Sequence, residues 1–209
     1  CPHAMACIIS NPVNSMVPLW AEVLNQNGVY NPAKLLGVTS LDLYRANTFA
    51  SNVKGQAVHV PVIGGHAGKT IVPLWSLASQ KLDFEGEFLD KITNRVMFGG
   101  DEVVQAKGGA GSATLSMASA GARFVESCLV ALSGRTVSNE IAYVENPEAE
   151  KQFGTRFFAS EIHMNAGGVI KTFPTWERAN QYETKLVAEM VPDLKAQIAK
   201  GVEFAQAKH

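Results

Sequence analysis

The chain has 209 residues, room for one large domain or one and a half small ones. Hydrophobic residues make up 46% and charged residues 18%, a globular balance that argues against disorder. A formal net charge of -1 exerts no long-range pull on nucleic acid or acidic membranes, and no apolar run approaches the roughly 20 residues needed to cross a bilayer.

The chain opens at Cys1 and runs at once into Ala4-Met5-Ala6-Cys7-Ile8-Ile9-Ser10, a short apolar run of the kind found in strands buried on both faces. Such a strand rarely begins a domain, so these residues are expected to be the C-terminal part of something longer. Asn11-Pro12-Val13-Asn14 ends the strand, because Pro12 cannot donate to a ladder and biases Asn11 away from helix. Asn14 or Ser15 is expected to cap a helix from Met16 to Asn27, stopped by Gly28. Lys34 to Val38 reads as a second strand. Strand, helix and strand in this length make one βαβ unit with parallel strands, the edge of a larger doubly wound sheet.

Thr39 or Ser40 can cap a helix from Leu41 to Asn52, which places Asp42 and Arg45 on one face, and Lys54-Gly55 breaks it. The alternation of Val58, Val60 and Val62 predicts a strand ended by Gly64-Gly65, with another from Ile71 to Ser76. A long helix is expected from Phe84 to Ala106, weakened at Gly99-Gly100, then a loop over 107–111 and a small-residue helix from Ser112 to Leu132. Strands follow at Ile141 to Val144, Phe157 to Ile162 and Val169 to Lys171. A closing helix runs from Thr175 to Lys208, divided at Pro192 with Val191 as the boundary.

Several motifs fall short of the chemistry they suggest. Gly64 to Thr70 ends in Gly-Lys-Thr, but Ile63 stands where a phosphate loop needs its first glycine. Gly109-Ala110-Gly111 starts like a dinucleotide fingerprint, yet Thr114 replaces the third glycine. The five histidines (His3, His59, His66, His163, His209) show no metal-ligand spacing. Cys1, Cys7 and Cys128 cannot all pair, match no zinc pattern and are read as reduced thiols of an intracellular protein. The terminal Ala207-Lys208-His209 has the form of a degenerate peroxisomal address, and equally of the start of a tag or a frayed helix end. What remains is an acid (Asp42), a guanidinium (Arg45), an imidazole between glycines (His66) and an amide before a proline (Asn11). Together they are the parts needed to hold a carboxylate and move a proton beside it. Spacing alone does not bring the four side chains together.

The strings Ile9 to Asn14, Leu41 to Phe49, Val60 to Thr70 and Gly109 to Ala118, in that order, resemble the malate dehydrogenases of the mitochondrial, glyoxysomal and bacterial branch. The resemblance runs in register from Cys1 to the last helix. It implies an α+β fold with small antiparallel sheets and long helices. Residues 1–38 would be the edge of a dinucleotide-binding domain and residues 39–209 the substrate-binding, catalytic domain. It implies that Asp42 and His66 are the catalytic carboxylate–imidazole pair. Arg45 would grip the substrate carboxylate remote from the hydride, and Asn11 would hydrogen-bond the substrate oxygen. Ile9, Asn11 and Met117 would lie against the nicotinamide of NAD, and Ser112 and Ala113 would line the substrate pocket. The implied substrates are malate and oxaloacetate, with NAD as cofactor and no metal. The implied assembly is a homodimer or homotetramer that binds neither nucleic acid nor membrane. The implied compartment is a mitochondrial, glycosomal or peroxisomal matrix, or the cytoplasm in bacteria.

The chain also departs from that family. The glycine-rich phosphate loop, the ribose-binding acid and the mobile loop with two further arginines have no counterpart in these residues. The connection Lys54 to Val60 is a few residues shorter than the family norm. Two other readings follow: an inert fragment that persists as a folded dimerisation module, and a dehydrogenase for lactate or another 2-hydroxy acid.

Overall fold

The computed structural model describes residues 1, 3–111 and 114–207. The chain enters through strand β1 (Ala6–Ile8), crosses through helix α1 (Val13–Gln26) and returns as β2 (Leu35–Gly37), which pairs with β1 in parallel. This is the βαβ unit expected from the sequence. Helix α2 (Ser40–Lys54) follows and ends at Gly55, whose left-handed φ of 70° closes the helix. Strands β3 (Val62–Gly64) and β4 (Ile71–Pro73) form an antiparallel pair. Helix α3 (Gly86–Ala106) is continuous through Gly99-Gly100, and α4 (Leu115–Leu132) starts at Thr114, whose hydroxyl accepts from the Met117 N–H at 3.1 Å. Strand β5 (Val137–Glu145), the short helix α5 (Pro147–Phe153), β6 (Phe157–Asn165), β7 (Gly168–Thr172) and the long helix α6 (Gln181–Gln206) complete the chain.

The α+β expectation holds, with the antiparallel strands joined to the parallel pair in one seven-stranded mixed sheet. Its order is β1-β2-β5-β6-β3-β4, and β7 pairs with β6. The join is narrow, a single bridge between Gly37 and Tyr143. A Cβ on Gly37 would sit 2.9 Å from methyls of Val13 and Val17 and 3.0 Å from Cβ of Tyr143, so the bridge needs a residue without a side chain. Both faces of the sheet are covered. On β5, Ile141 and Tyr143 enter the core on the α1 and α6 side, while Ala142 and Val144 pack with Phe124, Cys128 and Ala131 of α4. That period-2 alternation is what a strand between two layers requires. Phe158 is fully buried between Phe153, stacked at 5.6 Å, and Trp176, edge-on at 5.0 Å. Helices α1 and α6 approach closely, since a Cβ on Gly201 would lie 2.1 Å from the Ser15 carbonyl oxygen.

Four local expectations are corrected. Asn14 and Ser15 do not cap α1: the helix starts at Val13, both side chains are buried, and both turn toward other elements. Neither Thr39 nor Ser40 caps α2 through its side chain; both hydroxyls are buried without a partner among the described residues. Val58 and Val60 are buried as the alternation required, yet they lie outside any strand. Their N–H groups are taken by the Ser51 hydroxyl (2.9 Å) and the Asn47 amide oxygen (2.7 Å) of α2 rather than by a neighbouring strand. Finally, Pro192 does not divide the last helix. A 3-10 turn spans Thr175–Arg178, and α6 then runs unbroken from a capping box of Asn180 and Glu183. Met190, Leu194 and Ile198 bury one stripe across the proline and hold it in helix, despite the hydrogen bond that proline cannot make. Lys208 and His209, on which the terminal address depends, lie outside the described residues.

Candidate active site

Helix α2 delivers two of the four polar groups. Asp42 lies in its first turn and Arg45 three residues on, and the Arg45 guanidinium donates to Asp42 Oδ1 at 3.1 Å. The third group comes from the turn after β3. Gly64 has φ 102°, and a Cβ there would fall 2.2 Å from the Thr70 carbonyl oxygen; a Cβ on Gly65 would fall 2.5 Å from Thr70 Oγ1. Only a double glycine lets the strand end turn this tightly, and the turn presents His66 to α2. His66 Nδ1 lies 2.5 Å from Asp42 Oδ2. A carboxylate accepts only, so Nδ1 carries the proton and Nε2 the lone pair of the neutral ring.

One carboxylate therefore serves two partners, one through each oxygen. The Asp42 side chain is 1% exposed, His66 9% and Arg45 17%. Burial alone would push the imidazole toward its neutral form. The charge of Asp42 and its hydrogen bond outweigh burial and the opposing Arg45, so the His66 pKa is raised above the usual histidine value.

Helix α3 forms the wall beside Arg45. A Cβ on Gly99 would lie 3.1 Å from Arg45 Cδ and Nε, and one on Gly100 3.8 Å from its terminal nitrogen. The two glycines that the sequence suggested would weaken α3 instead leave space for the guanidinium. The groups open into a cleft of about 520 Å³, lined by Asn11, Asp42, Arg45 and His66 and walled by Ile9 and Met117. Six of the eight candidate residues thus share one cavity, although they come from four separate parts of the chain. Ser112 and Ala113 lie outside the described residues. Ile9 is exposed, as is Asn11.

The region spanning residues 39–205 matches the family model described as "lactate/malate dehydrogenase, alpha/beta C-terminal domain". The chain belongs to the lactate/malate dehydrogenase family. Over an aligned length of 209 residues it is 48% identical to the mitochondrial malate dehydrogenase of Rattus norvegicus and 46% identical to that of Homo sapiens. The match covers 99% of this chain and 60% of each relative, so the chain spans well under two thirds of the length of the lactate/malate dehydrogenases it matches. The fold is shared with the malate dehydrogenase of Cryptosporidium parvum, at TM-score 0.79 and 21% identity over 98% of this chain and 65% of that one. It is also shared with that of Picrophilus torridus, at TM-score 0.76 and 22% identity over 97% of this chain and 63% of that one.

Two residues of the cleft region escaped the sequence reading. Asp101, directly after Gly99-Gly100, lines the cleft; nothing in its spacing marks it. Asn14 is fully buried behind His66 and accepts the His66 N–H at 2.8 Å. Its position after Asn11-Pro12-Val13 made it a helix cap by propensity, and only the fold shows its partners.

Proposed function

We propose that this chain is the substrate-binding, catalytic part of an NAD-dependent L-malate dehydrogenase, which interconverts malate and oxaloacetate. The observation that carries the reading is the Asp42–His66 contact in a cleft that Arg45 and Asn11 also line. Oxidising a 2-hydroxy acid removes a hydride from C2 and a proton from its hydroxyl. Nε2 of His66 takes the hydroxyl proton, and in the reverse direction the imidazolium returns it. Asp42 holds the tautomer in which Nε2 is free and stabilises the imidazolium that forms. Arg45 presents paired N–H groups to a substrate carboxylate, which orients C2 as well as binding the acid. The Asn11 amide donates to the substrate oxygen.

NAD, when bound, supplies the hydride acceptor, or as NADH the donor. The residues present fit the nicotinamide end of that cofactor. Ile9 leaves the end of a parallel β1–β2 pair, Met117 faces the same cleft, and Gly121 keeps α4 close, with a Cβ there 3.3 Å from Ile9 Cδ1. Ile9, Asn11 and Met117 would hold that ring. Residues 1–38 are assigned to the edge of a dinucleotide-binding domain and 39–209 to the substrate domain. The start of the family match at residue 39 and the place of parallel β1 at the end of the sheet support this boundary.

A homodimer or homotetramer is the proposed assembly. The outer face of α4 supports it, since Leu115 is 90% and Leu129 60% exposed and Val125 and Leu132 share the stripe. The mitochondrial names of the relatives support a matrix location.

The test is oxaloacetate-dependent oxidation of NADH by the intact protein that carries this chain, with pyruvate in parallel and an intact mass on the same sample. Turnover with oxaloacetate and little with pyruvate is expected. Preference for pyruvate would make it a lactate-type enzyme, and no turnover with either would leave a folded module.

A further inference from the structure

Asn14 sits at a junction of three elements. Its amide oxygen accepts the His66 N–H at 2.8 Å. Its amide nitrogen donates one hydrogen to Thr70 Oγ1 (3.0 Å) and the other to Gln197 Oε1 (2.9 Å) on α6. The side chain has no solvent exposure. Thr70 closes the same turn from the other side, accepting the Ala67 N–H at 3.1 Å and donating to the Ala67 carbonyl at 2.8 Å. Gly65 is shaped around this amide, because a Cβ there would stand 2.6 Å from Asn14 Nδ2 and 2.7 Å from Oδ1. The Asn14 carbonyl in turn accepts from the buried Tyr143 hydroxyl at 3.3 Å.

An ordinary residue in the first turn of a helix has no need of such partners, and a buried asparagine costs stability unless it is fully satisfied. The amide fixes the Gly65–His66 peptide, and that peptide decides where the imidazole starts. The ring is then fixed at both ends, by Asn14 at its backbone and Asp42 at Nδ1. We infer that Asn14 is a positioning residue for His66: it holds the catalytic imidazole from behind and ties its placement to the packing of α1 against α6. The inference rests on His66 being the base. The groups that face the imbedded ring are Asp42 and Arg45, and the Asn14–Thr70–Gln197 set adds no charge to them.

The experiment uses the intact protein with Asn14→Ala, Asn14→Asp and Gln197→Ala. Two quantities are read: steady-state kinetics with oxaloacetate and NADH across pH, and the titration of the His66 imidazole by NMR. Displacing a reacting group by about 1 Å costs on the order of 100-fold in rate. Asn14→Ala should therefore lower kcat about 10- to 100-fold, with KM for oxaloacetate and the NADH dissociation constant nearly unchanged, since Arg45 and Asn11 are not moved. It should also lower the His66 pKa, because the Asp42 contact loosens. In Asn14→Asp the carboxylate still accepts the His66 N–H, and the Gln197 amide can turn to donate to it. That variant should recover much of kcat and move the His66 pKa in the opposite direction, upward.

If Asn14→Ala does not fold, Gln197→Ala removes only the α6 arm and should lower kcat and the His66 pKa by smaller amounts in the same direction. A lower melting temperature with kcat, pH profile and imidazole titration all unchanged would overturn the inference. It is separable from the functional reading: if the parent protein lacks oxaloacetate turnover, or His66→Asn keeps it, the assignment of the base fails, while the imidazole titration still reports whether Asn14 holds the ring.

Discussion

His66 Nδ1 lies 2.5 Å from Asp42 Oδ2, although the two residues are 24 positions apart in the chain, and both side chains are nearly closed to water. Folding therefore raises the imidazole's affinity for a proton. The native state binds more protons than the unfolded chain between about pH 6.5, the ordinary histidine value, and the raised folded value. The stability this contributes is fully present below about pH 6.5 and is lost as pH rises through the folded value. The melting temperature of the parent minus that of His66→Asn should accordingly shrink as pH rises across that window. A difference that grows with pH would contradict the pairing.

Arg45 tests substrate recognition. Arg45→Lys keeps the charge but loses the fork that grips a carboxylate with two parallel hydrogen bonds. One charged hydrogen bond is worth about 1.5–3 kcal/mol, so KM for oxaloacetate should rise about 10- to 100-fold. Asp42 would also lose its 3.1 Å partner, so a modest change in the pH profile should accompany the rise. An unchanged KM would remove Arg45 from the substrate site.

Gly99 separates function from stability. In Gly99→Ala the new Cβ would stand 3.1 Å from the Arg45 stem, which must shift by a few tenths of an ångström. The helix interior gains up to about 1 kcal/mol of propensity, which offsets the crowding. The melting temperature should hold while KM for oxaloacetate rises about tenfold, the cost of one weakened charged hydrogen bond. Loss of stability without a KM effect would show that α3 and Arg45 are not coupled in this way.

The contrast between Arg45 and Asn14 shows how far the sequence could be read. Helical spacing placed Arg45 beside Asp42 with no knowledge of the fold, because positions three apart must share a face. The βαβ unit was legible for a similar reason: its strands, crossover and glycine stops are local signals. Helix α5 was missed although Asn146, Pro147 and Glu148 spell a cap, a first-turn proline and an acid, because seven residues carry too little periodicity to draw attention. Val58 and Val60 gave the right burial and the wrong hydrogen bonds, since alternation reports which side faces the core and not what satisfies the backbone. Asn14, Asp101 and the space left by Gly99 were not legible, because each depends on contacts between segments far apart in sequence. The joining of His66 to Asp42 is of the same kind, and it was reached through resemblance to a family.

The most direct test of the account is the turnover of His66→Asn in the intact protein, measured with oxaloacetate and NADH beside the NADH dissociation constant. Asparagine keeps a polar side chain near Asp42 but cannot accept and return a proton near neutral pH. Loss of a partner in a related proton-transfer pair costs on the order of 10⁴ in rate, and loss of the base itself should cost at least as much. The account expects kcat to fall by about that factor with NADH affinity nearly intact. Turnover within about tenfold of the parent would mean that the proton is moved by another group, and that the Asp42–His66 pair is only structural.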